Sequence, residues 1–307
     1  MIYDYIVIIL NYNASEFIHV AIESIRKCAI ASYMICVVDN NSSLKGEKEK
    51  IIASKAEDVE VLLLDENSGY GKGNNEAVRY MSSRYKFRYI VIMNPDIEII
   101  AKGTIEGIIE NANKEGAIGG QPLVWNFYYS EEPKTQINIG RAVDFKGLCL
   151  QSNLFLRILF KKKFRELMFL NDMPYESHIK YQMPSGAFFI IYKDVFEEIQ
   201  GFDEDTFLYG EESIIAHKLC EKDYYLLFNP EYVVKHLQGA TTGYDRYRWD
   251  KRRLSYMKQS RNIFVKKYLK HGKFHVIMLN MLLNLDFMTR KIYVMFKRKR
   301  KTQKYGE

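Results

Sequence analysis

The chain has 307 residues, of which 47% are hydrophobic and 27% charged, with 6 prolines and 18 glycines. This usage is typical of a globular protein and excludes a collagen-like, linker-rich or wholly disordered chain. The length favours one large α/β domain with an appendage. The four cysteines lie far apart without a C-x-x-C pair, which argues against a zinc ribbon or disulfide framework and favours a reducing compartment. No basic leader precedes the first apolar run, so the N-terminus does not resemble a signal peptide.

The net charge of +7 is distributed unevenly along the chain. Residues 241–307 contain 19 Lys and Arg against four Asp and Glu, a net charge of +15, so residues 1–240 carry −8. A nucleic-acid-binding protein that is basic throughout would not divide its charge in this way, and nucleic acid is not an expected partner. An acidic body with a basic end favours a catalytic or binding domain with a segment that attaches it to another surface. A solvated basic helix end is the simpler alternative.

Short apolar runs alternate with helix-like segments through the first 120 residues. Helices are expected after residue 15, where Ser15 would be the N-cap, after residue 43 and up to about residue 83. Repeated strand–loop–helix units predict a mostly parallel sheet, in which ligands bind beyond the carboxyl ends of the strands. The apolar runs predicted as buried strands are Tyr5–Leu10, Ile35–Val38, Val59–Leu64 and Tyr89–Met93.

The later part of the chain is less regular. A helix is predicted at 195–199, and another begins with Tyr209-Gly210-Glu211-Glu212. Residues 145–170 form an apolar and basic segment. Pro184-Ser185-Gly186 precedes the apolar run Ala187–Tyr192, and the other segments predicted as strands are 116–124, 136–140 and 233–236.

Two common nucleotide-binding motifs are absent. The dinucleotide fingerprint needs glycines in the first strand-to-helix turn, and residues 11–15 contain none. Glycines instead follow the third strand at Gly69, Gly71 and Gly73, and no G-K-[ST] sequence follows them, which also excludes a P-loop. At a helix start this cluster would let backbone amides approach a ligand phosphate; a flexible turn is the alternative.

Two aspartates stand just past the ends of apolar strands, where a carboxylate is costly unless it is used. Asp39 could accept hydrogen bonds from a nucleobase or ribose, or it could form an Asx turn. Asp96 follows Pro95 and is a hard oxygen ligand suited to Mg²⁺ or Mn²⁺. A divalent ion there would neutralise a diphosphate leaving group, and an ordinary proline turn is the alternative.

Seven segments in order resemble glycosyltransferase family 2, and most closely its bacterial rhamnosyltransferase-like members. They are VIILNYN, VVDNNSS, NSGYGKGNN, IVIMNPD, PSGAFFII, GFDEDTFLYGEE and KHLQG, and the resemblance covers roughly residues 3–265. It implies an α/β GT-A fold, with a mostly parallel central sheet flanked by helices. The GT-A domain would span 1–240, with a nucleotide-sugar half of about 1–125 and an acceptor half of about 126–240, and 241–307 would form a basic helical extension.

The resemblance also assigns the donor and metal site. Asp39 would contact the nucleotide base, and Asp96 would be the carboxylate on the Mg²⁺ or Mn²⁺ side, with Asn94-Pro95-Asp96 replacing the usual Asp-x-Asp motif. His236 aligns with a histidine that ligates the metal in some relatives, although an isolated histidine after a strand also has a structural interpretation. The other assigned donor-binding positions lie in the motif loops: Asn11, Asn13, Asn67, Gly69, Gly73, Asn74, Asn94, Ser185 and Gly186.

The catalytic base is assigned to the pair Glu211-Glu212, where many relatives carry Glu-Asp. Inverting transfer needs a carboxylate that takes the acceptor hydroxyl proton while the anomeric carbon is attacked from the opposite face. Glu212 aligns with the family's aspartate and is the expected base; Glu211 is the alternative, or binds the acceptor. Two acidic residues favoured in the first turn of a helix by its dipole would have the same sequence pattern.

The basic end mixes apolar and cationic residues. Polar residues interrupt the apolar positions within 254–296, so this part lacks the roughly 18 unbroken apolar residues of a membrane span, and KRKRKTQK follows at 297–304. The pattern predicts an amphipathic helix on an anionic membrane surface, with 154–169 as a second patch. The protein would then be cytoplasmic and peripheral at the inner face of the cell membrane. A cap on the catalytic domain and a homodimer interface are the alternatives.

These features together predict a metal-dependent inverting glycosyltransferase of bacterial surface polysaccharide synthesis. Its donor would be a dTDP- or UDP-sugar, with rhamnose among the candidates, and its acceptor a saccharide or a lipid-linked one. A sugar nucleotidyltransferase would carry a G-x-G-T-R-x-x-P-like loop after the first strand, which is absent. A non-catalytic nucleotide-sugar-binding scaffold is the third alternative, and donor hydrolysis would distinguish it.

Overall fold

The computed structural model describes residues 2–126, 134–136, 139–168, 177–237 and 251–304, without side chains for 134–136 and 293–304. One mixed sheet of ten strands lies at the centre of this part of the chain. The strands are β1 (Ile2–Asn11), β2 (Tyr33–Asp39), β3 (Val59–Leu63), β4 (Lys86–Met93), β5 (Ile97–Ile99), β6 (Gly119–Asn126), β7 (Lys134–Gln136), β8 (Ile179–Tyr181), β9 (Phe188–Tyr192) and β10 (Leu226–His236).

Helices cover both faces of this sheet, and a further group lies at the C-terminal end of the chain. They are α1 (Ile18–Cys28), α2 (Glu47–Ala53), α3 (Tyr70–Ser82), α4 (Thr104–Glu115), α5 (Phe145–Ser152), α6 (Leu154–Leu159), α7 (Lys161–Met168), α8 (Lys193–Glu198), α9 (Glu211–Cys220), α10 (Lys251–Ile263) and α11 (Lys273–Lys304). A π-helical turn, Phe264–Tyr268, follows α10.

The first half of the sheet has the parallel order β3-β2-β1-β4. Alternate residues of β1 pack on opposite faces, with Ile6 and Ile8 in one core and Val7 and Ile9 in the other. A strand buried on both faces must be apolar throughout, which explains the continuous apolar runs. The chain leaves β1 toward β2 and later returns on its other side as β4, so a ligand crevice opens at the carboxyl ends of these strands.

The second half of the sheet is mixed, in the order β9-β6-β10-β5 beyond β4. Strand β9 runs antiparallel to β4, whereas β10 runs parallel to β6 and places His236 opposite Asn126. Strand β5 is antiparallel to β10 and pairs Ile97 with His236. This pairing brings His236 next to Asp96, the residue that precedes β5. The predicted α/β sheet is confirmed, with antiparallel partners added in its second half.

The C-terminal helices pack on the helix that begins at Glu211. Ile214 of α9 shares a buried cluster with Leu254 of α10, Phe264 of the π-helical turn and Leu279 of α11. Where the structure describes the chain, no helix combines the length and apolar character needed to cross a bilayer. The boundary expected at residue 240 lies outside the described residues.

Several local predictions need correction. Ser15 does not cap α1, because its hydroxyl and backbone N–H donate to the carboxylate of Glu47, at 2.8 and 2.9 Å, and a 3₁₀ turn intervenes before Ile18. The apolar run Ala187–Tyr192 corresponds to β9, whereas the last strand is longer than 233–236 because it starts at Leu226. Of the strand expected at 136–140, residues 137–138 lie outside the described residues.

Candidate active site

Asp39 ends β2 and is fully buried at the mouth of the crevice. The backbone N–H of Ser42 donates to both of its carboxylate oxygens, at 3.3 and 3.1 Å, and Asn11 Nδ2 donates to Oδ1 at 3.4 Å. The carboxylate thus caps the backbone three residues on, and this is not the Asx turn offered as an alternative, in which the bond goes two residues on. The contact of Asp39 with a nucleotide stays a prediction.

Asn11 and Asn13 hold the turn after β1 against the turn after β2. Asn11 Oδ1 accepts from the backbone N–H of Ala14 at 3.1 Å, while Asn13 Oδ1 accepts from those of Ser43 and Leu44 at 2.8 and 3.0 Å. Asn13 has a φ of 56°, a left-handed conformation that asparagine tolerates. Both side chains shape the rim of the crevice, and their direct contact with the donor stays a prediction.

The glycine-rich loop before α3 is fastened to the turn that follows β2. Asn40 Nδ2 donates to Asn67 Oδ1 and to the backbone oxygen of Gly69, each at 3.1 Å. Gly69 has a φ of 84°, and a Cβ there would lie 2.4 Å from the backbone oxygen of Phe207. Only glycine fits this position. The loop is therefore in direct contact with the segment that leads to the glutamate pair.

Two assigned residues of this loop lie inside the first turns of α3. A Cβ on Gly73 would come within 2.8 Å of Leu10 Cδ1, so the glycine permits close packing of α3 on β1. Asn74 is fully buried, and its Nδ2 donates to the backbone oxygen of Tyr70 at 2.9 Å. Its Oδ1 has no hydrogen-bond partner among the described residues. These two positions support the loop from beneath, and their contact with the donor stays a prediction.

Asp96 and His236 face each other at the carboxyl end of the sheet. His236 Nε2 lies 3.4 Å from Asp96 Oδ1, without hydrogen-bond geometry, and neither buried oxygen of Asp96 accepts a hydrogen bond among the described residues. On its other side, His236 Nδ1 lies 3.0 Å from Asn126 Oδ1. An amide oxygen only accepts, so Nδ1 is the donor to Asn126, and Nε2 is the ring nitrogen that faces the carboxylate.

This arrangement fits a divalent cation. Two unpaired buried carboxylate oxygens need an explanation, and a bound ion is a common one. Nε2 of His236 and the carboxylate of Asp96 face the same space, and imidazole nitrogen and carboxylate oxygen are both metal ligands. In the part of the chain that the structure describes, no group of three or more His, Cys, Asp and Glu could hold a metal ion. Asp96 and His236 would therefore supply only part of its coordination.

Glu211 and Glu212 begin α9, where the helix dipole favours carboxylates. Burial outweighs that effect: it raises the pKa of Glu211 to about 8, and the neighbouring Glu212 carboxylate adds to the rise. Burial also raises the pKa of Glu212, while backbone amides, including that of Gly186, and the charge of Arg261 oppose the rise. Two adjacent carboxyl groups with raised pKa values are typical of acid–base sites.

The loop Pro184-Ser185-Gly186 lies beside Glu212. A Cβ on Gly186 would come within 2.8 Å of Glu212 Oε1, so the absence of a side chain leaves room for the carboxylate. The Tyr70 hydroxyl donates to the Gly186 backbone oxygen at 2.6 Å. Gln121 Oε1 accepts from the Ser185 backbone N–H at 2.8 Å, which fixes the start of the loop.

Asn94 connects this loop to the Asp96 turn. Its backbone N–H donates to the backbone oxygen of Ala187 at 2.9 Å. The motif loops after β1, β2, β3 and β4 and the loop before β9 thus meet at one end of the sheet, beside the start of α9. Every residue that the sequence assigned to the site lies at this end or directly beneath it.

The C-terminal helix α10 also reaches the site. The Ser260 hydroxyl donates to the backbone oxygen of Leu208 at 3.0 Å, and its Cβ lies 3.3 Å from where a Cβ on Gly210 would stand. The next residue, Arg261, donates to Ser152 Oγ. Burial lowers the pKa of Arg261 to about 10, and it remains a cation near neutral pH, close enough to Glu212 to affect it.

Sequence reasoning missed several residues that position the site. Tyr70 lies inside the quoted motif NSGYGKGNN and Asn40 inside VVDNNSS, so the motif itself was the available signal. Asn126, Gln121 and Arg261 lie in segments without a motif, and only the sheet register and helix packing bring them close.

Residues 6–199 match the model of the family described as "Glycosyl transferase family 2". The fold is shared with the crystal structure of S. aureus TarS 1–349, at a TM-score of 0.50 and 14% identity over 97% of this chain and 74% of that one. It is also shared with the crystal structure of GalNAc-T7 with UDP, GalNAc and Mn²⁺, at a TM-score of 0.57 and 16% identity over 94% of this chain and 57% of that one. Among curated proteins no significant match is found.

The fold and the family match define the chain as a glycosyltransferase with a GT-A fold, which uses a nucleotide-sugar donor. It belongs to glycosyltransferase family 2. The predicted fold and enzyme class are confirmed, and the alternatives of a nucleotidyltransferase and a non-catalytic scaffold are set aside.

Proposed function

We propose that this enzyme is a rhamnosyltransferase-like member of its family that transfers a sugar, with inversion, from a dTDP- or UDP-sugar. The acceptor would be a saccharide or a lipid-linked saccharide of bacterial surface polysaccharide synthesis. One observation carries the proposal: the Gly186 loop contacts all three parts of the site. The Gly186 backbone oxygen accepts a hydrogen bond from the Tyr70 hydroxyl, and Gly186 packs against Glu212 Oε1. The backbone oxygen of the next residue, Ala187, accepts a hydrogen bond from the Asn94 N–H. The predicted donor, metal and base positions are thereby joined by direct contacts.

Glu212 is the proposed base. It would take the proton of the acceptor hydroxyl as the hydroxyl oxygen attacks the anomeric carbon and the nucleoside diphosphate leaves from the opposite face. A pKa raised by burial suits this task, because a base is most effective when its pKa approaches the working pH. Glu211, whose pKa is about 8, would be mostly protonated at neutral pH and could donate a hydrogen bond to the acceptor.

Asp96 and His236 are the proposed holders of Mg²⁺ or Mn²⁺, with Asn126 fixing the histidine ring. Mg²⁺ is commonly held by one or two carboxylates together with substrate phosphates and water, which suits a site with two protein ligands. GalNAc-T7, which shares this fold, was crystallised with UDP, GalNAc and Mn²⁺. When bound, the cation would neutralise charge on the diphosphate leaving group.

The donor is proposed to lie across the carboxyl ends of β1, β2 and β4. Asp39 would accept hydrogen bonds from the nucleotide base, and the N-terminus of α3 would face the phosphates. The backbone N–H groups of Ser68, Gly69 and Tyr70 already donate within the protein. Ser185 and Gly186 would line the space between donor and acceptor. The other motif residues assigned to the donor, Asn11, Asn13, Asn67, Gly73, Asn74 and Asn94, would shape this pocket.

We also propose that the enzyme works in the cytoplasm, peripherally bound to the anionic inner face of the cell membrane. The support is the net charge of +15 on residues 241–307 and the basic run at 297–304. A lipid-linked acceptor would be presented at that surface. A homodimer interface is the alternative use of these residues.

The proposed function is tested with the purified chain and candidate donors. A thermal-shift screen against UDP, dTDP and GDP, each with and without Mn²⁺ or Mg²⁺, should identify one nucleotide that stabilises the protein in a cation-dependent way. The sugar-nucleotide of that base should then be hydrolysed slowly, and NMR should show the inverted anomer as the first product. Glu212→Gln is the control and should bind without hydrolysing. A retained anomer, or no cation-dependent nucleotide binding, would contradict the proposal.

A further inference from the structure

Helix α11 exposes a row of apolar side chains along one side. The spacing of these residues is three or four, which places them on a single stripe of the helix. They are Phe274 (72% exposed), Ile277 (59%), Met281 (66%), Leu285 (51%), Met288 (60%) and Ile292 (50%). Another side of α11 carries the fully buried Leu279 and Leu283, which pack against the rest of the chain. The exposed row is therefore not needed for that packing.

Helix α6, whose start is bonded to α11, carries a second group of exposed apolar side chains. They are Leu154 (40% exposed), Phe155 (65%), Ile158 (67%) and Leu159 (61%), followed by Phe160 (49%). Two hydrogen bonds fasten the start of α6 to α11: Asn153 Nδ2 donates to the Leu282 backbone oxygen at 3.2 Å, and the Leu154 N–H donates to Asp286 Oδ1 at 2.6 Å. We call these two groups together the α6–α11 apolar face.

The α6–α11 apolar face is accompanied by basic residues. Lys161, Lys162 and Lys163 follow α6 directly and are exposed, as are Lys273 and Lys291 on α11. Helix α11 carries nine Lys and Arg and a single acidic residue, Asp286. Asp286 is buried and paired with Arg290 at 2.6 Å, so it does not offset the surface charge.

We propose that the α6–α11 apolar face lies on an anionic lipid bilayer, with its apolar side chains in the boundary between headgroups and acyl chains. An amphipathic helix with lysines beside its apolar stripe is typical of binding in the plane of a membrane. The lysines would meet the anionic headgroups, which attract basic residues near the surface. The exposed row extends along α11 from Phe274 to Ile292, so the proposed orientation of this helix is parallel to the surface.

A second copy of the chain is the competing occupant. A symmetric dimer would place the same face against itself, and its interface would then enclose Lys161, Lys163 and Lys291 of both copies without added negative charge. Like charges brought together in that way oppose association. An anionic bilayer supplies the opposite charge, and for this reason we commit to lipid.

Vesicle flotation with the full chain tests the proposal. The probes are vesicles of phosphatidylcholine mixed with phosphatidylglycerol and vesicles of phosphatidylcholine alone. The double variant Met281→Glu/Met288→Glu places two carboxylates on the exposed row without altering a buried side chain. We expect wild type to float with the mixed vesicles, and the variant to bind them about ten-fold or more weakly.

A matched control makes the same chemical change elsewhere. Val20→Glu/Ile52→Glu replaces two exposed apolar residues on α1 and α2, at 44% and 52% exposure, and adds the same negative charge. Its two added negative charges should weaken binding to the mixed vesicles by electrostatic repulsion. Any further loss of affinity should be no more than about two-fold. Thermal melts of both variants check that the fold is retained.

Light scattering after gel filtration measures whether each protein is a monomer or a dimer. If the Met281→Glu/Met288→Glu variant and wild type bind mixed vesicles equally, the proposal is overturned. It is also overturned if wild type is a dimer that the variant dissociates and neither protein binds vesicles, because the face would then join two copies. No donor or acceptor is present in these assays, so their outcome is independent of the proposed sugar transfer.

Discussion

His236 Nε2 lies 3.4 Å from Asp96 Oδ1, although 140 residues separate the two in the chain. The antiparallel pairing of β10 with β5 creates this approach, and Asn126 on β6 orients the ring from its far side. The pair is therefore held by backbone register in three strands. Such a preformed geometry needs little rearrangement when a cation and a diphosphate bind together.

Asp96→Ala should remove cation-dependent nucleotide binding while the protein stays folded, because it deletes the only proposed carboxylate ligand. Calorimetry with UDP or dTDP, with Mn²⁺ and then with excess EDTA, measures the effect. Glu98→Ala is the matched control: Glu98 lies two residues further along and pairs with Lys235 at 3.2 Å, at a half-exposed position. Equal cation-dependent affinities in wild type and Asp96→Ala would exclude Asp96 as a ligand.

Glu212→Gln should lower turnover by about 10²-fold or more, because it keeps the size of the side chain and removes its basicity. Donor affinity should change little, since the base acts on the acceptor. Steady-state kinetics and donor titration separate the two quantities. If Glu211→Gln is inactive and Glu212→Gln retains its rate, the two roles are reversed.

Glu211 should make the protein less stable as the pH rises. Its pKa is about 8 when folded and would return to about 4.5 on unfolding, so between these values the folded state holds the extra proton. The associated stability is complete below the unfolded pKa and is lost as the pH rises through the folded pKa. Glu211→Gln should therefore flatten the fall in Tm between these values and melt higher than wild type at alkaline pH.

Thermal melts at several pH values provide this measurement. Glu198→Gln is the control, because Glu198 is exposed and its pKa is lowered. The cause is hydrogen bonds from Lys222 and Tyr224. It should leave the alkaline decline in place. An unchanged decline in Glu211→Gln would show that Glu211 is ionised in the folded protein at neutral pH.

Tyr70→Phe should reduce turnover without weakening donor binding. Burial, with the charges of Glu212 and Glu211, raises the pKa of Tyr70, so its hydroxyl stays protonated and donates to Gly186. Loss of this hydrogen bond should cost about 1 kcal/mol of stability and loosen the loop beside Glu212. We expect about a ten-fold fall in kcat. Tyr80→Phe, on the same helix, should leave kcat unchanged; equal effects of both changes would contradict a specific role of Tyr70.

A chain that ends at Phe296 should bind anionic vesicles more weakly at low salt and keep its donor hydrolysis. The deleted segment begins with KRKRK, and its attraction to anionic lipid is screened as the Debye length falls from about 10 Å at 0.1 M salt to about 3 Å at 1 M. Co-sedimentation over a salt series measures this contribution separately from the α6–α11 apolar face. If the shortened and intact chains bind anionic vesicles alike at every salt concentration, the basic run is not an anchor.

The sequence predicted the strands of the parallel half well, because a strand buried on both faces is a continuous apolar run such as Val7 to Ile9. The prediction of Ser15 as a helix cap was wrong, because the Ser15 hydroxyl and N–H both donate to Glu47, 32 residues later. Helix propensity contains no information about such a distant partner. The sequence prediction also shortened β10, because Asn229 and Pro230 interrupt the apolar pattern where the strand has an irregular register.

The sequence alone determined the parallel half of the sheet and the order of the motif loops, since these depend on local apolar pattern and turn residues. The class of enzyme followed from the resemblance of the short motifs to a known family. The tertiary structure alone decided which residues meet. The closeness of Asp96 to His236, the support of Ser185 by Gln121 and the reach of α10 to Gly210 depend on strand register and helix packing across long chain separations. The same is true of α11: its periodicity marks it as a helix with apolar residues, but only packing decides that Leu279 is buried while Met281 is left exposed.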